Sequence, residues 1–138
     1  MSTSQGHPRT VFKRALQHEN LLVAEATARE IGKVSLVEAL ELTLLIAKKE
    51  PHRHPRVAAR WLLRYLEEDD DATIDMLVLA ASCLAALTGN GYQEAAQALR
   101  DMTEKATRRR RGVALRRGPG GWEAPRRSNP LPRPFPSV

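Results

Sequence analysis

Near residue 107 an Ala- and Leu-rich sequence gives way to arginine, proline and glycine. This break decides how much of the 138-residue chain has the apolar side chains to build a core. Residues 1–106 carry 13 Lys and Arg against 15 Asp and Glu, a net −2, whereas residues 107–138 carry 9 Arg against Glu123 alone, a net +8. The overall +6 therefore belongs to the C-terminal segment. Before the break there is enough apolar sequence for one small domain that needs no metal or disulfide staple. After it, arginines and prolines leave too little to bury, and the sequence predicts disorder. The expected organisation is a flexible stretch over residues 1–7, a helical domain over 8–106 and a disordered basic tail over 107–138.

Within residues 8–106 the periodicity is helical throughout, and no apolar/polar alternation persists. The fold class is all-α, with about six short helices. The first is expected from Pro8 or Arg9 to His18, with Val11, Phe12, Ala15 and Leu16 on one face. The second runs from Asn20 or Leu21 to Ile31 and stops at Gly32, a residue that ends helices without steric penalty. Ser35-Leu-Val-Glu38 is a capping box in which hydroxyl and carboxylate satisfy each other's free backbone donors, opening a helix that reaches Lys49. Pro55, in a first turn where its missing N–H is no loss, starts a fourth helix ending near Glu68. Thr73 caps a fifth that ends at Gly89-Asn-Gly91. A sixth starts near Tyr92, and its end blurs into Arg108–Arg111.

Three of these helices align at offsets of 35 and 36 residues, bringing Ala24, Ala59 and Ala95 into one column and Arg29, Arg64 and Arg100 into another. The sequence thus allows either an irregular bundle or a repeat-like array of helix hairpins, in the size range of tetratricopeptide and HEAT units. No tetratricopeptide or ankyrin signature is present.

Composition excludes several classes. Cys83 is the single cysteine, which rules out an intrachain disulfide and a cysteine-based zinc site. It sits in an apolar run and reads as an inert buried thiol. The first ten residues lack the apolar stretch of a signal peptide, and no apolar run approaches the roughly 18–20 residues that span a bilayer. The expected location is the cytoplasm, without membrane contact. No Gly-rich phosphate loop, nucleophile elbow or His-Glu-x-x-His motif occurs, so no catalytic residue, cofactor or metal is assigned and an enzyme is not expected.

Candidate binding residues are mostly arginines. Arg56, Arg60 and Arg64 recur every fourth residue and so share one stripe of the fourth helix. That stripe is either a ridge for phosphates or carboxylates, or a set of ordinary ion pairs, Arg64 with Glu68 and the others with Glu38 or Glu41. Arg108, Arg109, Arg110, Arg111, Arg116 and Arg117 make the segment after the break a phosphate- or acid-seeking arm, and Trp122 and Phe135 are placed to stack on unpaired bases. His52 and His54, between prolines, are expected in extended chain facing the same way, but two imidazoles lack the further ligands of a metal site. Glu67-Glu-Asp-Asp-Asp71 lacks the spaced oxygens of a calcium loop. It reads as a solvated connection or as a patch for the chain's own arginines.

The fifth helix is apolar almost all round, which suits the middle of a bundle or a dimer face. Leu45, between Glu38, Glu41, Lys48 and Lys49, reads as an exposed apolar contact. Together these features lead to a non-enzymatic helical protein–protein interaction module with a basic tail for acidic partners. The alternative is a nucleic-acid-associated protein that binds phosphates through the tail and the arginine stripe. A protein partner is expected, nucleic acid is the second candidate, and a homodimer is allowed.

Overall fold

The computed structural model describes residues 7–117, and they form six α-helices and one 3-10 turn with no strand among them. The helices are α1 (Pro8–Gln17), α2 (Leu21–Ile31), α3 (Leu36–Lys49), α4 (His54–Glu68), α5 (Ile74–Ala86) and α6 (Tyr92–Arg117). The caps explain most boundaries. Asn20 accepts a bond from the Val23 amide at 3.2 Å, and Gly32 closes α2 at φ +89°, where a side chain would be strained. The capping box at α3 is complete: Ser35 Oγ accepts from the Glu38 amide at 3.1 Å and Glu38 Oε1 from the Ser35 amide at 2.7 Å. Thr73 caps α5 by accepting from the Met76 amide at 3.2 Å.

The helices pack as three successive pairs, α1 with α2, α3 with α4 and α5 with α6. Among the described residues the first pair touches α3 but neither α5 nor α6, so α3 joins the two ends of the molecule. Its Leu36, Leu40, Leu44 and Ala47 enter a core with Trp61 and Tyr65 of α4, Ala80 and Leu84 of α5 and Leu99 of α6. Its Leu45 and Ile46 enter a second core with Phe12, Ala15, Leu21 and Ala24. Trp61 is buried, donates from Nε1 to the Leu36 carbonyl at 3.2 Å and stacks on Tyr65 with ring centroids 5.5 Å apart.

The structure departs from the sequence reading in five places. Leu45 is buried, because α1 and α2 cover the side of α3 that its flanking charges made look exposed. α3 is therefore the central helix; α5, despite its apolar circumference, lies at the margin, with Ile74, Val78 and Leu79 facing solvent. The chain between Pro51 and Pro55 is coiled into the 3-10 turn Pro51–Arg53 rather than extended. The aligned alanines differ in environment, since Ala24 and Ala95 are buried and Ala59 is exposed.

The last departure concerns the charge break, which is not a structural boundary: α6 continues through it to Arg117. Residues 107–117 are mostly arginine, alanine and leucine, all good helix formers, and the first proline beyond the break is Pro119. α6 thus extends into the first residues of the expected tail, whose remainder lies outside the described residues.

Candidate interaction surface

The arginines singled out by sequence divide into those engaged by carboxylates and those left facing solvent. Arg64 Nε donates to Glu68 Oε2 at 2.6 Å, one helical turn on, and Arg110 reaches the same carboxylate at 3.3 Å. Arg109 donates from Nη2 to Asp69 Oδ2 at 2.5 Å and lies 3.8 Å from Asp71. The Asp69 side chain is only 2% exposed, and its other oxygen accepts from the Asp71 amide at 3.1 Å. The acidic connection between α4 and α5 is thus a patch for the chain's own arginines, delivered by α6. Tyr65 lies beneath it with a buried hydroxyl close to Asp69 and Arg109 but outside good hydrogen-bonding geometry. Burial, together with the neighbouring Asp69 charge, holds this phenol above its ordinary pKa.

Arg108 pairs loosely with Glu104 at 3.4 Å on the open surface of α6, and Arg111 is exposed without an ion pair among the described residues. Arg116 and Arg117 fall in the last turn of α6. Trp122 and Phe135 lie outside the described residues. On α4, Arg56 and Arg60 are exposed and make no ion pair among the described residues. The carboxylates offered to them by sequence are taken elsewhere: Glu38 binds Arg9, and Glu41 holds Arg100 through two bonds at 2.8 and 3.0 Å. Burial works against the Glu38 charge, but Arg9 and the Ser35 cap outweigh it and hold this carboxyl below its ordinary range.

The two histidines do not converge. His54 is buried, and its Nε2 lies 2.7 Å from the Leu84 carbonyl of α5. A carbonyl only accepts, so Nε2 carries the proton and the imidazole ties the start of α4 to the end of α5. His52 is exposed. Among the described residues no three His, Cys, Asp or Glu side chains gather as a metal site. Cys83 is partly buried against the core, and burial raises its thiol pKa.

What sequence reasoning missed is the face shared by α4 and α5. Leu63 and Leu66 on α4 are 55% and 45% exposed, and Ile74 and Val78 on α5 are 77% and 59% exposed. At the other end of the same face the two helices leave an open groove of about 710 Å³, lined chiefly by Pro55, Ala58, Ala59, Leu62, Ala81 and Ala85. The signal was present in the all-round apolarity of α5, which sequence resolved towards the core. Burial instead depends on neighbours, and among the described residues α5 has them only on the sides facing α4 and α6. A contiguous apolar surface of this kind marks a site of association more often than a lone exposed leucine does.

The chain matches no family model, no curated protein and no solved structure. Among the described residues no helix is long and apolar enough to cross a membrane.

Proposed function

We propose that the protein is a non-enzymatic helical interaction module that binds a protein chain through the α4–α5 face, with the basic C-terminal segment adding attraction for acidic partners. The observation that carries this reading is the row of solvent-facing Leu63, Leu66, Ile74 and Val78 beside an apolar groove. Covering such side chains contributes roughly 25 cal/mol for each Å² removed from water, the main favourable contribution to protein association. Nucleic-acid binding has less support. Arg64, Arg109 and Arg110 are already engaged by Glu68 and Asp69, which lowers the charge free to neutralise phosphates.

Photo-crosslinking in cells tests the choice. A photoreactive residue at position 78 is expected to give protein adducts, whereas one at position 111 gives few adducts of any kind. Nuclease-sensitive adducts at position 111, with none at position 78, would put nucleic acid ahead of a protein partner.

A further inference from the structure

The exposed apolar side chains of the α4–α5 pair follow a coiled-coil spacing. Ala59, Leu63 and Leu66 recur at intervals of four and three residues, and Ile74, Val78, Ala81 and Ala85 at intervals of four, three and four. This is the spacing of side chains that mesh between helices packed at a shallow angle. The stripe is graded in size. Leucine, isoleucine and valine stand at the end where Asp69–Thr73 connects the helices, and alanines line the groove at the opposite end, where His54 meets Leu84.

It is also graded in charge. Arg56, near the groove, and Glu67, near the connection, lie about three helical turns apart on one edge of α4 beside Leu63, and so share nearly the same direction from the helix axis. Both are exposed and neither has an ion pair among the described residues. His52 lines the groove and Arg56 and Arg60 line the adjoining hollow on α4, whereas Glu67, Asp70 and Asp75 stand exposed near the connection.

We propose that the occupant of this face is a second copy of the chain, laid antiparallel so that α4 packs on α4 and α5 on α5 about a two-fold axis; this rests on the interaction-module reading above. Turning one copy end for end sets Leu66, Ile74 and Val78 of each protomer over the alanine-lined groove of the other. It also sets Arg56 of each protomer beside Glu67 of its partner. A parallel arrangement places bulk on bulk and like charge on like, so size and charge select the same orientation. Such an interface is isologous, as closed dimers require, and the result is a four-helix layer at the dimer centre.

Sedimentation equilibrium on the full chain is the test. The expected mass at about 100 µM, a concentration that fills even a weak dimer, is twice the 15.4 kDa of the chain. Val78→Glu, at an exposed site where the monomer fold is not at risk, is expected to weaken the dimer by about 100-fold or more, since the new charge is trapped away from water. Arg56→Glu and Glu67→Arg should each weaken it by roughly fivefold to tenfold, and the double reversal should recover most of the loss. Helical circular dichroism identical to the parent confirms that each variant is folded.

A dimer indifferent to Val78→Glu, or a double reversal no better than the singles, overturns the face or its antiparallel register. A chain that stays monomeric at about 100 µM overturns self-pairing altogether. Protein adducts from position 78 with some other chain then still uphold the interaction module, whereas no protein adduct there removes both.

Discussion

Truncating the chain after Ala106 cuts it at the charge break, where a tail made only of unburied residues would be lost without effect on stability. The structure leads to the opposite expectation. The cut removes Arg109, the only cation bound to Asp69 among the described residues, and the Asp69 side chain is 2% exposed. Leaving a buried charge unpaired costs about 3–5 kcal/mol when the site stays dry. Here Arg109 is itself 35% exposed, so water enters once it is gone and the Asp71 amide still serves one oxygen. A discounted loss of about 1–3 kcal/mol is therefore expected, the range for an unsatisfied buried group.

For a domain of this size each kcal/mol moves the thermal midpoint by roughly 4–5 °C, giving a drop of about 4–15 °C. A chain ending at Arg117 should melt with the full-length protein, and Arg109→Met in the intact chain should reproduce the loss. Asp69→Asn combined with Arg109→Met should be much less harmful than the two single changes added together, because each change alone strands the other group. Calorimetry on these five variants and the parent decides the matter. A chain ending at Ala106 that melts with the parent refutes the clamp and restores Ala106 as the end of the folded part.

Leu45→Ala is expected to cost about 2–5 kcal/mol in urea unfolding, the range for a buried leucine, where an exposed contact would change little. Tyr65→Phe should be neutral or slightly stabilising near neutral pH, because the hydroxyl it removes is buried without a hydrogen bond. The Tyr65 pKa is raised above its ordinary 10.0 on folding, so the stability tied to its neutral form is full below that value and is lost as pH rises through the folded pKa. Tyr65→Phe should accordingly flatten the alkaline limb of a stability–pH profile. Glu38 has the opposite sign: its pKa is lowered from an ordinary 4.5, so its contribution is full above that value and lost as pH falls through the folded pKa. Glu38→Gln should flatten the acid limb, and a limb left as steep as the parent's would show that Arg9 and Ser35 do not stabilise the carboxylate.

Local chemistry carried the sequence a long way. Ser35 with Glu38, Asn20, Thr73 and Gly32 act within a few residues of themselves, so the caps and breaks they impose were readable without knowing what lay across the molecule. The Arg64–Glu68 pair was readable for the same reason, being one turn apart on one helix.

The tertiary structure decided whatever depends on which surface meets which. Leu45 and Val78 both sit in helices, and nothing near either in sequence says that α1 and α2 cover the first while nothing described covers the second. Arg109 and Asp69 are 40 residues apart, so only the return of α6 along α4 turns a solvated acid and a tail arginine into a pair whose carboxylate is buried. The apolar content of α5 follows from its own composition, but the direction that content faces follows from α4 and α6. Helix formation is a short-range property of the backbone, whereas burial belongs to pairs of surfaces brought together by the fold.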